Sequence, residues 1–276
     1  MPIKVIKADG RPQAFDPEKV KVSLIRSGAS QESIDQILVS LTGKLHDGIT
    51  TKEIYRLVYE KLRQLQAGSS VKYCLKDSLM GLGPSGYPFE NFIARLLTAM
   101  GYRVQTQVIV KGACIDHEVD VVAEKEGEHI LVECKYHNQP GGRCRSKTAL
   151  YVQARFEDIM DYHRQHPETG KTFHQIMLAT NTKLTTNTIK YGQCKGMGLL
   201  AWHYPEKGSL EQLVEKHQLY PLACLSFLDA HQKQLLHQDG IVLCRDLMEA
   251  NDQRLKKLTF NSDTIKQIRL GLKNLL

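Results

Sequence analysis

Two carboxylates and a lysine stand at the ends of apolar runs in the middle of this sequence. The apolar run at 130–132 leads directly into Glu133 and Lys135, and Asp120 lies inside an earlier apolar run. Ionisable side chains are costly to bury, so their place at the end of a buried strand indicates a function. Because alternate residues of a strand share a face, Glu133 and Lys135 project to one side and Cys134 to the other.

The turn at 126–128 is expected to fold the two runs into an antiparallel pair, which brings Asp120 beside Glu133. Two neighbouring carboxylates repel each other unless a cation lies between them. Mg²⁺, or Mn²⁺ in its place, prefers such oxygen ligands and lowers the pKa of bound water. With Lys135 to orient that water and to offset charge on a phosphate, the pattern predicts metal-assisted hydrolysis of a phosphodiester. An inert ion-pair network is the alternative.

These residues resemble the PD-(D/E)xK nucleases, and among them the Mrr-like restriction endonucleases. The resemblance extends from 85 to 202 and is carried by four segments, at 87–92, 118–122, 132–135 and 153–156. It implies that Asp120 and Glu133 are metal ligands and that Lys135 is the catalytic lysine. It also implies accessory roles for Glu90, through a water, and for Gln153, beside phosphate or water. The alternative for Gln153 is an ordinary solvent-facing glutamine of a helix.

The N-terminal segment begins with a hairpin pattern and continues with helical periodicity. Short extended runs stand on either side of Asp9-Gly10, where glycine supplies the positive φ that a tight turn needs. Thr50 is expected to cap a helix, with Glu53 completing a capping box. Apolar residues recur at helical spacing in three runs, at 20–25, 34–41 and 54–62.

This segment resembles the ATP-cone, the regulatory module of ribonucleotide reductases and their repressors. The resemblance is carried by runs at 5–11, 15–20 and 47–55 and implies a regulatory site for ATP or dATP. Lys7 and Lys19 are implied to approach the triphosphate, because several fixed cations suit that group. The remaining residues of the implied site, which surround base and ribose or complete the hairpin, are Val5, Arg11, Phe15, Val20, Thr51, Ile54 and Tyr55.

One position departs from the ATP-cone pattern. Ala8 stands where the family often has arginine, and Arg11 or Lys21 are the candidate substitutes. The sequence also lacks the G-x-x-x-x-G-K-[ST] phosphate loop. We therefore expect the nucleotide to act as a signal without being hydrolysed.

The last segment is polar and helical, and residues 234–255 resemble a helix-hairpin-helix module. In that resemblance the turn at Asp239-Gly240 gives backbone N–H groups to a DNA phosphate, while the second hairpin at 260–263 lacks the usual glycine. A basic face, or merely the solvated side of helices, is expected from Lys256, Lys257, Lys266, Arg269 and Lys273. Upstream, the loop at 138–147 either closes on a phosphate backbone or stays mobile; its cations are Arg143, Arg145 and Lys147.

Together these patterns predict a multidomain α/β protein with three parts, at 1–83, 84–205 and 206–276. The first is an ATP-cone of a β-hairpin plus helices. The second is a PD-(D/E)xK nuclease domain, a restriction-endonuclease-like mixed sheet with helices on both faces, because its strands and helices alternate. The third is a small helical, helix-hairpin-helix-like domain. A stretch rich in glycine at 81–86 marks the first boundary.

The composition is that of an ordinary globular protein, with 42% hydrophobic and 24% charged residues. A formal net charge of +7 favours an anionic partner, which here is DNA. No apolar stretch reaches the roughly 20 residues of a membrane helix and no secretory signal is visible, so we expect no membrane and a cytoplasmic location. The seven cysteines form no C-x-x-C pair and are expected to be reduced thiols; a metal site at Cys134, His137 and Cys144 is the alternative.

The resulting hypothesis is a Mg²⁺-dependent DNA endonuclease of restriction or defence type, regulated by ATP or dATP. Its partners are DNA and an adenine nucleotide. A homodimer is also expected, because cutting both strands of a duplex needs two active sites or two visits. Two alternatives are a nucleotide-responsive DNA-binding regulator with an inactive nuclease fold, and a junction-resolving or RNA-processing nuclease.

Overall fold

The computed structural model describes residues 3–7, 9–83, 85–139, 141–170, 172–225, 227–273 and 275. Its backbone divides into two compact units. One unit comprises Met1–Ser78 together with Gln218–Leu276, and the other comprises Leu79–His217. Ala8, the position at which the ATP-cone pattern is broken, lies outside the described residues. No helix in these ranges has the length and apolar character needed to cross a membrane.

The N-terminal part of the first unit is a two-stranded hairpin followed by helices, as predicted. The elements are β1 (Lys4–Ile6), β2 (Pro12–Ala14), α1 (Pro17–Arg26), α2 (Gln31–Thr42), α3 (Thr51–Leu65) and α4 (Ala67–Met80). The hairpin is antiparallel, and Gly10 supplies the positive φ of its turn (+79°). Thr50 and Glu53 form the predicted capping box at the start of α3.

The helices of this part enclose one apolar core. α1, α2 and α3 each contribute residues spaced three or four apart, and Tyr73 of α4 packs against them. The buried members of the core are Val5, Val20, Leu24, Ile34, Ile37, Leu41, Ile49, Ile54, Val58 and Leu62. The hairpin therefore packs against the helices through Val5, while its turn remains in solvent.

The second unit is built on a mixed five-stranded sheet of order β3-β4-β5-β7-β9, flanked by helices. β3 to β5 are antiparallel, and β5, β7 and β9 run parallel. Its elements are α5 (Tyr87–Ala99), β3 (Arg103–Lys111), β4 (Asp116–Lys125), β5 (Glu128–Lys135), β6 (Arg143–Cys144), α6 (Ser146–Gln165), β7 (Gln175–Thr180), β8 (Lys183–Leu184), α7 (Thr186–Cys194), β9 (Gly198–Leu200) and α8 (Leu210–Lys216). The predicted mixed sheet is confirmed.

Three local features of the second unit add detail to the predicted mixed sheet. The turn between β4 and β5 has positive φ at both Glu126 (53°) and Gly127 (85°), which is typical of a tight type I′ hairpin. The loop after β5 is not wholly irregular, because β6 pairs in parallel with β8. The last strand of the sheet, β9, ends at Leu200, because the chain turns back there and Ala201 forms backbone hydrogen bonds with Tyr204.

The C-terminal part of the first unit is helical, as expected. Its helices are α9 (Ala230–Gln238), α10 (Cys244–Glu249), α11 (Asp252–Lys257) and α12 (Ser262–Lys273). Gly240 has a φ of +79° in the turn that follows α9. Before α12, the turn uses Thr259 at a φ of 66°, and the Asn261 side chain accepts a hydrogen bond from Thr264 N at 2.8 Å. An asparagine cap thus takes the place of the glycine that the pattern lacks there.

Candidate active site

The end of β5 is where β4 and β5 separate. Their backbone pairing runs from Lys125↔Glu128 to Val121↔Val132 and stops there. Beyond that point the side chain of Asp120 continues the contact, because its Oδ2 accepts a hydrogen bond from the backbone N–H of Cys134 at 2.6 Å. The structure therefore brings Asp120 to the C-terminal end of β5, next to Glu133.

Glu133 is a mostly buried carboxylate on the face of β5 that α6 covers. Its side chain is 20% exposed, and its Oε2 accepts a hydrogen bond from Arg155 Nη1 at 2.5 Å. Burial above all, together with the negative charges of Asp120 and Glu90, raises the pKa of Glu133 to about 7, although the charges of Arg155 and Lys135 oppose the shift. Burial and the neighbouring carboxylates therefore both disfavour the ionised form of Glu133.

Glu90 lies in the first turn of α5 and is close enough to Asp120 and Glu133 for their charges to interact. These three carboxylates are called the acidic group below. Burial raises the pKa of Glu90, and the charges of Asp120 and Glu118 add to the rise. The pKa of Asp120 is also raised, by burial, although the hydrogen bond from Cys134 N–H and the charge of Arg155 oppose the shift. The charge of Asp120 thus raises the pKa of both Glu90 and Glu133, and the charge of Glu90 raises that of Glu133.

Lys135 is the last residue of β5 and is exposed to solvent. Within the described part of the chain its ammonium takes part in no hydrogen bond or ion pair. Its charge acts on Glu133, whose pKa it lowers. A cation that is close to the acidic group and is not bound by it is available to an anionic ligand.

Gln153 does not face solvent, so the alternative of an exposed helix glutamine is wrong. The residue is 8% exposed on α6, and its amide donates a hydrogen bond to Glu157 Oε1 at 3.0 Å. Glu157 in turn contacts Lys195, just after α7. The Oε1 atom of Gln153 is buried and accepts no hydrogen bond from the described residues. In this structure Gln153 is hydrogen-bonded towards α7 and not to the carboxylates.

Arg155 is a site residue for which the sequence pattern predicted no role. Its guanidinium is only 12% exposed; Nη1 bonds to Glu133 and Nη2 to the carbonyl of Glu118. The guanidinium also lies over the ring of Tyr151, 5.5 Å from its centre. The available signal was the position of Arg155 two residues after Gln153 in a motif already recognised, but its partners lie 22 and 37 residues away in sequence.

The two carboxylates suit a small divalent cation. No cluster of three or more His, Cys, Asp or Glu side chains poised for a metal exists within the described ranges, and this includes Cys134, His137 and Cys144. Mg²⁺, however, is commonly held by one or two carboxylates plus water and substrate phosphate. Asp120 and Glu133 each have one oxygen engaged by a protein donor, which leaves the other oxygen of each carboxylate without a hydrogen bond from the described residues. The donor set therefore fits Mg²⁺ or Mn²⁺.

The residues of the expected nucleotide site fall into two classes. Val5, Val20 and Ile54 are buried core residues, and Phe15 packs against the same core. The remaining members are at least partly exposed, at Lys7, Arg11, Lys19, Thr51 and Tyr55. A bridge between Ile6 and Thr50 places the hairpin beside the start of α3, which brings the Lys7 and Thr51 regions together.

Two of the exposed residues of the expected nucleotide site form ion pairs with other side chains, and a third stacks on another aromatic ring. Arg11 forms an exposed ion pair with Asp9 at 2.5 Å. Lys19 lies 3.6 Å from Asp16. The ring of Tyr55 stacks on Tyr73 with centres 5.1 Å apart. Lys7 is exposed and forms no ion pair with another described side chain, so its ammonium is available to an anionic ligand.

The fold and the site together define a restriction endonuclease-like domain fused to an ATP-cone. Three family models match the chain in succession: an ATP cone domain at residues 3–74, a restriction endonuclease catalytic domain of Mrr type at 84–201, and an AF1548-like C-terminal domain at 220–276. The predicted fusion of an Mrr-like PD-(D/E)xK domain with an ATP-cone is confirmed.

Similar proteins show which family the chain belongs to. An uncharacterized protein of Archaeoglobus fulgidus is 36% identical over 176 residues, which cover 64% of this chain and 95% of that protein. The crystal structure of the protein of unknown function AF1548 matches with a TM-score of 0.55 at 35% identity, over 68% of this chain and 97% of that one. The chain belongs to the AF1548 family.

The N-terminal part has a second kind of relative. The transcriptional repressor NrdR of Dictyoglomus thermophilum is 35% identical over 80 residues, and so is that of Dictyoglomus turgidum. The match covers 26% of this chain and 53% of each repressor, so the chain spans about half the length of these relatives. The chain thus combines a nuclease-type domain with a nucleotide-binding type of domain.

Proposed function

We propose that this protein is a Mg²⁺-dependent DNA endonuclease of restriction or defence type whose activity is regulated by ATP or dATP. The observation that supports it most directly is the arrangement at the end of β5. Asp120 and Glu133 each keep one carboxylate oxygen without a hydrogen bond from any described residue, and the unpaired ammonium of Lys135 follows two residues after Glu133.

Each side chain of this site has a role in phosphodiester hydrolysis. Asp120 and Glu133 would hold the cation, and a bound divalent cation supplies positive charge at a phosphate oxygen and lowers the pKa of adjoining water. Lys135 orients the attacking water and offsets the negative charge that develops on the phosphate. Glu90 acts on the same water network from α5. Gln153 is the least direct member, because its hydrogen bond leads to Glu157.

A plasmid assay tests the enzymatic part. Purified protein is incubated with supercoiled plasmid and Mg²⁺, with and without ATP or dATP, and strand breaks are counted on gels. We expect Lys135→Ala to lower the cleavage rate by about 10²- to 10³-fold, the usual cost of removing a group that stabilises transition-state charge. Lys190→Ala, an exposed lysine on α7, is the matched control and should cut like the wild type. Equal DNA products from wild type and Lys135→Ala under all conditions would falsify the nuclease proposal.

The regulatory part has its own test at Lys7. Because Lys7 is exposed on the hairpin and forms no ion pair with a described side chain, Lys7→Ala should weaken binding of ATP and dATP by at least about tenfold, the loss expected for one charge-assisted phosphate contact. Titration calorimetry measures the affinity. Lys44→Ala, at the exposed end of α2, is the control. Unchanged binding by the Lys7 variant contradicts the assignment of the hairpin as the triphosphate site.

The similarity of the N-terminal part to NrdR supports a second candidate, a nucleotide-responsive DNA-binding regulator. The same plasmid experiment separates the two. A regulator would shift the mobility of DNA in a nucleotide-dependent way and leave every strand intact in Mg²⁺ and Mn²⁺. The free Lys135 beside two carboxylates favours the nuclease.

A further inference from the structure

Each proposed metal-binding carboxylate has one oxygen that the protein itself occupies. For Asp120 the donor is a backbone group, Cys134 N–H, at 2.6 Å from Oδ2. For Glu133 the donor is a side chain, Arg155 Nη1, at 2.5 Å from Oε2. The arrangement is monodentate in both cases. It leaves the second oxygen of each carboxylate free of hydrogen bonds from the described residues, and these are the oxygens that a cation would take.

Arg155 is fixed by more than its ion pair. Its second nitrogen, Nη2, donates to the carbonyl of Glu118 on β4, and its guanidinium lies over the Tyr151 ring one turn earlier on α6. The side chain is 12% exposed, so little freedom remains to it. A guanidinium held at three points is a rigid donor with a defined direction, which a lysine ammonium cannot reproduce.

These contacts lie where the backbone no longer holds the two strands together. The β4–β5 ladder ends at Val121↔Val132, and Glu118 and Glu133 lie beyond its end on opposite strands. Arg155 joins them, one nitrogen to each strand. It therefore sets the separation of β4 and β5 at the level of Asp120 and Glu133. A cation bound by both carboxylates requires that separation to be correct within a few tenths of an ångström.

We propose that Arg155 is the positioning residue of this site: it clamps Glu133 to β4 so that the free oxygen of Glu133 is presented, together with that of Asp120, to a divalent cation. The inference rests on the proposed function, because it takes these two carboxylates as the metal ligands. It assigns Arg155 no contact with substrate. Loss of a hydrogen-bonding partner of this kind typically weakens metal affinity by about 10- to 100-fold.

Metal binding, measured without DNA, tests the clamp. Mn²⁺ is titrated into the full-length protein at constant pH and the free ion is followed by electron paramagnetic resonance. We expect Arg155→Gln to raise the Kd for Mn²⁺ by about 10- to 100-fold. Arg103→Gln is the matched control, because it breaks an ion pair of similar length, to Glu124 at 2.6 Å, on an arginine that is 82% exposed. Its Kd should equal that of the wild type.

Arg155→Lys separates geometry from charge. This variant keeps the positive charge next to Glu133 but loses the fork that reaches Glu118, so its Mn²⁺ affinity should stay at least about tenfold below that of the wild type. Tyr151→Leu removes only the aromatic contact and should weaken Mn²⁺ binding about two- to fivefold, as expected for a contact of roughly 0.5–1 kcal/mol. This milder variant keeps the test usable if Arg155→Gln does not fold, which thermal unfolding shows.

The outcomes are distinguishable from failure of the nuclease proposal. Equal or tighter Mn²⁺ binding in folded Arg155→Gln, or full recovery in Arg155→Lys, overturns the clamp and leaves the nuclease proposal intact. If Asp120→Asn binds Mn²⁺ as the wild type does, or the wild type binds none, both the site and the clamp fail. Weakened binding in Arg155→Gln and Arg155→Lys but not in Arg103→Gln supports the clamp.

Discussion

At the scale of single residues, the acidic group of the second unit is held by specific hydrogen bonds and not by charge pairing alone. Backbone N–H of Cys134 and the guanidinium of Arg155 each bind one carboxylate. The sequence pattern was sufficient to predict that Asp120 lies beside Glu133, because the turn at Gly127 pairs the two strands. It could not predict Arg155, because nothing local in the sequence indicates which helix residue reaches the end of β5.

Asp158 on α6 provides a residue-scale prediction outside the site. Its carboxylate accepts hydrogen bonds from His117 Nε2 at 2.8 Å and from the backbone of Cys114 at 2.9 Å. The hydrogen bond from His117 above all lowers the pKa of Asp158 to about 2. Since the folded pKa lies below the unfolded value of about 3.9, this carboxylate stabilises the fold above pH ~4 and loses that effect as pH falls towards 2.

The test compares unfolding in urea over a range of pH. Asp158→Asn should be less stable than the wild type at pH 6, and the difference should shrink as the pH falls from about 4 to about 2. Asp161→Asn, which removes an exposed ion pair to Arg164 on the same helix, is the control and should show little difference. A difference for Asp158→Asn that stays constant with pH contradicts a role of the ionised carboxylate.

At the scale of elements, periodicity predicted most helices and strands of the second unit and the hairpin with its capped helix in the first. The sequence analysis did not predict α4, although its buried residues Leu75 and Leu79 stand four apart, which is helical spacing. It also missed β6, since two residues carry no readable period and the strand exists only through its pairing with β8. β6 forms through its pairing with β8, which is distant in sequence, and a local pattern does not reveal such a pairing.

Arg269 is a second arginine whose guanidinium binds groups of the protein itself, here the backbone carbonyls at the end of a helix. Expected on a basic face, it instead donates from α12 to the carbonyls of Leu247 (3.1 Å) and Met248 (2.9 Å) at the end of α10. It also bonds to the carbonyl of Ala250 and to Asp252. Carbonyls at a helix end lack partners within the helix, so one guanidinium satisfies several of them.

Replacing this arginine should therefore destabilise the fold. We expect Arg269→Met to lower the free energy of unfolding in denaturant by about 1–3 kcal/mol, the cost of leaving buried acceptors unpaired. Lys266→Met, on the same helix with an exposed ion pair to Asp263 at 3.8 Å, should change stability by less than about 0.5 kcal/mol. Equal stabilities for the two variants would show that Arg269 is an ordinary surface cation.

At the scale of the whole molecule, three successive family matches describe a protein that combines a nuclease-type domain with a nucleotide-binding type of domain. Domain order was predictable from the sequence, because each domain carries its own motifs. The grouping of the first and last parts of the chain into one compact unit was not, since no pattern within either part refers to the other.

DNA binding by the whole molecule is testable through its salt dependence. If the exposed pair Lys256 and Lys257 contacts phosphates, the plot of log K against log salt should lose about 1.8 of its negative slope when both are replaced by alanine, since each contact contributes about 0.9. The measurement is fluorescence anisotropy with duplex DNA in EDTA, so that no strand is cut. An unchanged slope would remove these lysines from the DNA contact.

The tight turn at Glu126 and Gly127 limits where residues can be inserted into the domain or deleted from it. That turn determines the register of β4 against β5, and the register determines that Asp120 meets the end of β5 beside Glu133. One inserted residue in the turn would shift every pair, exchange the two faces of one strand, and place Val132 where Glu133 now stands. Substitutions along this hairpin are therefore tolerable in many places, whereas insertions and deletions between 120 and 133 are not. Natural variation in length should be confined to other loops, such as the one that follows β5.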